Sequence, residues 1–303
     1  MIYFYCPKPP NLLPSGGIWF IHRIVGLLNE IDIPARVWTP NPIDVYWDAH
    51  PIDKSLVTQS IRLGQGDTLV VPEVNWPMAQ VQGVRNILFV QNYVWLNKAE
   101  YFSNPGEVLV CSRFLFNHMR RVFDSHVIGK VTPFLDDDVW QDSPKQGNRV
   151  LVIGRRTETW RKMVELLNEN GFVPEVIEQP LTHRQLSESF SRCEYYVHLV
   201  YPEGFPIICL EAMRSGTLVV GTTGGGGTEF LFDRETSFVV QDPESGQYFS
   251  QDQFCERIIS KLREIRNDSE TKDRVKNTAM EWSKRYTADA TKKELMEIFG
   301  NGR

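Results

Sequence analysis

Two carboxylates, Glu203 and Glu211, stand at the ends of the segment EGFPIICLE. Gly204 and Pro206 set a tight turn after the apolar run YYVHLV (195–200), and Ile207 to Ser215 reads as a helix that Gly216 ends. A helix that opens just beyond the carboxyl end of a strand turns its free N–H groups, here of Phe205 to Ile208, toward an anionic ligand. Glu203 before that helix and Glu211 within it would flank one anion site, each able to accept hydrogen bonds from hydroxyls. A sugar–diphosphate–ribose has that layout, with hydroxyls on both sides of a diphosphate. The run Gly224 to Gly227 lacks the Lys-Ser/Thr of a phosphate-binding P-loop, and no G-x-G-x-x-G occurs in the chain.

Sheets must position these groups. Short β-rich runs alternate with amphipathic segments, the pattern of an α/β protein with parallel strands. The first half has strand candidates at 2–6, 35–39, 68–73, 86–92 and 107–112; the second has them at 149–154, 174–178, 195–200, 217–222 and 237–242. Pro133, Asp136-Asp137-Asp138, Pro144 and Gly147 break the pattern between the halves. Asp136 to Asp138 could hold a divalent metal, but the position between two α/β halves favours a linker and helix cap. From Asp252 onward the spacing of Phe254, Ile258, Ile259, Leu262 and Ile265 is helical, and a last helix is expected at about 287–299. The expected domains are 1–140 and 141–280, with 281–303 packing back on the first.

The chain has 303 residues, a formal charge of −5, 42% hydrophobic and 12% aromatic residues. This balance argues against a nucleic-acid partner and against disorder. No apolar run reaches the ~20 residues that span a bilayer, and MIYFYCPKPP does not read as a signal peptide. Five scattered cysteines in apolar or helical stretches suggest reduced core thiols and a cytoplasmic protein, and six histidines lack metal-ligand spacing. The helix RFLFNHMRRVF (113–123), with Arg120 and Arg121, could touch the inner face of an anionic membrane, although core packing accounts equally for its aromatics. Trp19, Trp76 and Trp95 could stack on a sugar, or lie in the core.

Segment 201–231 resembles the donor-binding signature of retaining glycosyltransferases of family 4, with its Glu pair spaced E-x7-E. SGGIWFIHRIVGLLNE (15–30), VLVCSRFLFNHMRRVF, KVTPFLDDDVW, VLVIGRR (150–156) and EWSKRY (281–286) resemble further family segments in the same order. The resemblance implies a GT-B type α/β fold: two Rossmann-like doubly wound domains facing a cleft, with C-terminal helices crossing back to the first. It implies transfer of a hexosyl unit from a nucleotide diphosphate sugar to a glycan, glycolipid or small-molecule hydroxyl, with retention. No cofactor and no metal are expected, since Arg, Lys and helix N–H groups neutralise the leaving diphosphate in this fold.

By the same resemblance, Glu203 contacts the donor sugar and Glu211 the ribose. The backbone of Gly204, Phe205, Pro206 and Ile207 lies over the sugar and phosphates. Gly16 and Gly17 approach the diphosphate, where glycine permits a close backbone. Gly154 and Arg155 open the second domain, and Arg155 pairs with phosphate; its lysine partner is Lys162, with Arg161 competing. The nucleobase is expected near Pro180, Leu181 and Thr182. Gln91, where family members often carry His, and His22 are weaker candidates for acceptor or sugar contact, although His22 reads more readily as structural. Gly226 and Gly227 belong to a turn near the sugar, with Glu229 starting the next helix. A nucleotide-sugar-binding protein without turnover and a non-hydrolysing epimerase of the same fold are the alternatives.

Overall fold

The computed structural model describes residues 1–6, 16–40, 53–75, 81–92, 94, 106–136, 138–154, 158–241 and 249–300. The chain divides into two compact units: Met1–Phe134 with Ala288–Arg303, and Leu135–Thr287.

Among the described residues, the first unit holds β1 (Ile2–Tyr5), α1 (Gly16–Glu30), β2 (Ala35–Trp38), β3 (Val57–Thr58), β4 (Thr68–Pro72), β5 (Arg85–Val90), β6 (Glu107–Val110), α2 (Arg113–Phe123) and β7 (Val127–Lys130). The strands form one parallel sheet in the order β3-β2-β1-β4-β5-β6-β7. Leu69 to Val71, Ile87 to Val90 and Val108 to Val110 are all buried, as expected of parallel strands covered on both faces. The strand order reverses between β1 and β4, so the crevice at their carboxyl ends is the natural ligand position. In α2, Phe114, Leu115, Met119 and Phe123 are buried while Arg120 and Arg121 are exposed.

The second unit holds β8 (Gln146–Ile153), α3 (Thr159–Glu169), β9 (Val173–Ile177), α4 (His183–Arg192), β10 (Cys193–His198), α5 (Ile207–Arg214), β11 (Leu218–Thr222), β12 (Phe238–Gln241), α6 (Gln251–Ile265) and α7 (Ser269–Ser283). Its parallel sheet runs β12-β11-β10-β8-β9, with the reversal between β8 and β10. Val150, Val152, Tyr195, Val197, Leu218 and Val220 share a core with Met163 and Leu167 of α3 and Ile258 and Leu262 of α6. Strand alternation turns Tyr196 and His198 to the opposite face, where Phe190 of α4 meets Tyr196 at 5.8 Å between ring centroids.

The last helix, α8 (Ala288–Phe299), belongs to the first unit. Its Phe299 packs against Phe4, Glu294 accepts from the Thr132 N–H and pairs with Lys130, and Lys292 pairs with Glu30. Two strands were not expected from the sequence, β3 and β7; the helical stretch after Asp252 is two helices, α6 and α7. Asp136 accepts the Val139 N–H at its carbonyl; Asp137 lies outside the described residues. All five cysteines are free and buried. Among the described residues no helix is long and apolar enough to cross a membrane.

Candidate functional site

In the second unit the loops after β10 and β11 are joined backbone to backbone. Glu203 N–H donates to the Gly224 carbonyl at 2.7 Å, and Gly226 N–H donates to the Glu203 carbonyl at 2.9 Å. The glycines are what allow this. A Cβ on Gly226 would lie 2.0 Å from the Gly204 carbonyl oxygen, and Gly224 has φ +68. The glycine run is therefore a backbone partner of the Glu203 loop. Glu229 ends a short 3-10 helix, Gly226–Glu229, and does not start the next helix as expected. A Cβ on Gly227 would meet Leu231 at 2.7 Å.

Glu203 is held over the carboxyl end of β10, with its side chain 14% exposed and Oε2 3.5 Å from Nε2 of buried His198. Phe205 turns its ring into an aromatic cluster with Phe230 and Tyr286, so its contribution to the loop surface is backbone. Pro206 precedes α5, and no side chain caps that helix end. The Ile207 N–H donates to the Phe205 carbonyl and the Cys209 N–H to the Pro206 carbonyl.

Glu211 lies on α5, with its side chain 6% exposed and Oε1 4.0 Å from His183 Nε2. His183 opens α4 beside Thr182, whose hydroxyl and backbone form a capping box with Gln185. Its ring lies 5.6 Å from that of Trp140. The expected nucleobase position, Pro180 to Thr182, thus directly precedes a residue in reach of Glu211. The far end of α5 is pinned: Arg214 donates to the Ser283 hydroxyl and carbonyl at 2.9 and 2.7 Å. Lys145 donates to the carbonyls of Phe190 and Ser215, where α4 and α5 end. Burial pushes its ammonium down to about 8.

Gly154 follows β8, its N–H donating to the Ile177 carbonyl, and a Cβ there would lie 3.2 Å from the Trp160 ring. Arg155 lies outside the described residues, as do Trp76 and Trp95. Arg161 pairs with Glu158 at 3.3 Å and stacks on Trp160. Lys162 is exposed in the first turn of α3, near enough to act on Cys255 of α6.

In the first unit, Gly16 and Gly17 begin α1. Gly17 packs against Gln91: a Cβ on Gly17 would sit 2.6 Å from Gln91 Oε1. Glu73, just past β4, accepts the N–H groups of Gln91 and Asn92 at 3.1 and 2.8 Å. Burial raises its carboxyl to about 7 despite these bonds. The carboxyl ends of β4 and β5 and the start of α1 therefore share one polar cluster at the strand-order reversal. His22 is buried in α1, and burial pushes its imidazole down to about 4, so it is neutral at pH 7. Trp19 is also core.

Sequence reasoning gave no role to His183, His198, Trp140 or Glu73. Only Glu73 left a mark in the sequence, as the lone carboxylate closing the apolar strand TLVVPE. The others gain meaning only through contacts between distant segments.

Residues 138–282 match the model of the family described as Glycosyl transferases group 1. A sequence search of curated proteins finds no match. Among solved structures, sucrose-phosphate synthase from Thermosynechococcus elongatus matches with TM-score 0.70 and 12% identity, over 99% of this chain and 98% of that one. A glycosyltransferase from Rickettsia africae matches with TM-score 0.67 and 12% identity, over 99% and 98%. Anabaena HepE, solved in complex with UDP and glucose, matches with TM-score 0.64 and 12% identity, over 99% of each chain. The second unit thus carries the stretch that matches the group 1 glycosyl transferase model, and the chain as a whole has the GT-B fold of these solved structures.

Proposed function

We propose that the chain transfers a hexosyl unit from a nucleoside diphosphate sugar to an acceptor hydroxyl, with retention and without a metal ion. The observation that carries this reading is the joined pair of loops that holds Glu203 beside the start of α5 while Glu211 is buried within that helix. Glu203 holds sugar hydroxyls. The backbone N–H groups of Phe205 and Ile208 face the diphosphate, since Pro206 has none and that of Ile207 is taken by the Phe205 carbonyl, and Glu211 holds the ribose. That the similar HepE was solved with UDP and glucose supports this assignment.

Breaking the glycosidic bond puts negative charge on the diphosphate and positive charge on the anomeric carbon. Amide dipoles at the start of α5 and the positive charges of Arg155 and Lys162 stabilise the first in this reading. No carboxylate serves as nucleophile in this reading; the departing phosphate assists attack of the acceptor on the same face. The first unit takes the acceptor, with Gln91 and the start of α1 as its polar surface.

The test is a transfer assay with UDP-, GDP- and TDP-hexoses and a panel of glycan and glycolipid acceptors, with and without EDTA. Products are read by anomeric proton coupling. Retained configuration and survival in EDTA are expected. Inversion would contradict the same-face step. Abolition by chelator with rescue by manganese would return Asp136 to Asp138 as ligands. Interconversion of nucleotide sugars without acceptor would make the protein an epimerase, and binding without turnover a receptor.

A further inference from the structure

We propose that His198 is a positioning residue that sets the Glu203 carboxylate from beneath, with Tyr196 fixing the tautomer of its imidazole. The proposal rests on Glu203 being the sugar contact.

Tyr196 and His198 are alternate residues of β10 and so share one face of the sheet. His198 is 0% exposed and Tyr196 2%. The Tyr196 hydroxyl lies 3.2 Å from His198 Nδ1, and His198 Nε2 lies 3.5 Å from Glu203 Oε2. The three polar groups form a line leading from the sheet interior to the loop over β10. A buried imidazole costs free energy unless both ring nitrogens have suitable neighbours. The Nε2–Oε2 approach is longer than a formed hydrogen bond, and one neutral arrangement suits both of these neighbours. The Tyr196 hydroxyl donates to Nδ1, which leaves the proton on Nε2, facing the carboxylate. The opposite tautomer would aim the Nε2 lone pair at Oε2.

The glycine loop completes the arrangement. A Cβ on Gly224 would lie 3.3 Å from both His198 Nε2 and the Glu203 Cβ, and one on Gly221 would lie 2.2 Å from the His198 carbonyl oxygen. Phe190 closes over Tyr196 from α4. Glu203 thus has its backbone held by Gly224 and Gly226 and one carboxylate oxygen met from below by His198. His198 in this arrangement touches no substrate; it limits the rotamers of the residue that does.

Two measurements on the full chain test this. In the first, long-range proton–nitrogen spectra of protein with labelled histidine report the His198 tautomer. Protonated Nε2 is expected, with its signal moved by Glu203→Gln and by Tyr196→Phe. Protonated Nδ1, or a signal indifferent to Glu203→Gln, would overturn the proposal. This readout needs no His198 variant, so it stands even if His198→Phe fails to fold. In the second, UDP, GDP, TDP and their hexose derivatives are titrated calorimetrically. For the nucleotide that binds, His198→Phe should weaken the sugar derivative about tenfold relative to the bare nucleotide, and His198→Gln, which restores an N–H donor, should recover most of it. Equal loss for both ligands, or no loss, would overturn the positioning role. A wild-type protein that shows the expected tautomer but never prefers a nucleotide sugar to its nucleotide would sink the sugar-donor reading, while the tautomer still decides the relay.

Discussion

Glu73 places an ionisable group where water does not reach it. Its carboxyl is raised from the usual 4.5 to about 7, so the folded chain keeps a proton that the unfolded chain releases. The associated stability is present below about 4.5 and is lost as pH rises through about 7. Glu73→Gln, which imitates the protonated acid, should flatten this part of the stability curve in urea unfolding between pH 5 and pH 8; a variant with the wild-type slope would refute it. Arg155 makes a kinetic prediction. If it meets the diphosphate as charge develops, Arg155→Ala should lower turnover by about 10²–10³ and change the donor KM much less. A change in KM alone would make it a ground-state contact. Glu203 and Glu211 were legible because a turn, a helix and a glycine run surround them in one stretch of chain. Glu73 was not: its partners, Gln91 and Asn92, lie 18 and 19 positions away on another strand. His198 read as one more residue of an apolar strand, and its polar neighbours became visible only when that strand was laid beside the Gly224 loop.

The elements were more legible than the contacts between them. Parallel strands buried on both faces read as unbroken apolar runs, and β4, β5, β8 and β11 were placed within a few residues. β7 escaped because its four residues include Gly129 and Lys130, and its identity as a strand comes from pairing with β6. The same logic separates two glycines. Gly226→Ala drives a Cβ to within 2.0 Å of the Gly204 carbonyl oxygen, so the joined loops must part. The expected loss is about 3 kcal/mol, at the upper end of overpacking costs, together with donor binding. Gly26, inside α1, has nothing within 4 Å of an added Cβ, so Gly26→Ala should stabilise by about 1 kcal/mol. Chemical denaturation of both variants checks the pair; equal effects would mean the loop junction is not as tight as described. α5 depends on this junction at one end and on Lys145 and Arg214 at the other, so Glu211 is fixed from both sides.

At the scale of the molecule, each unit carries its own parallel sheet, its own core and its own polar cluster at the strand-order reversal. The chain returns to the first unit only with α8, which Glu294 and Phe299 fasten there. The two sheets divide the labour in our account: the second unit binds the donor, and the first presents the acceptor. The donor half is the more specific claim, because it assigns the two ends of one ligand to two named carboxylates. Calorimetric titration of wild type, Glu203→Ala and Glu211→Ala with a nucleoside diphosphate and with its sugar derivative tests that claim most directly. Glu211→Ala should weaken both ligands by about tenfold or more, since a charge-assisted bond to ribose is worth ~1.5–3 kcal/mol. Glu203→Ala should weaken only the sugar derivative. Loss of the bare nucleotide in Glu203→Ala, or wild-type nucleotide affinity in a folded Glu211→Ala, would contradict the account.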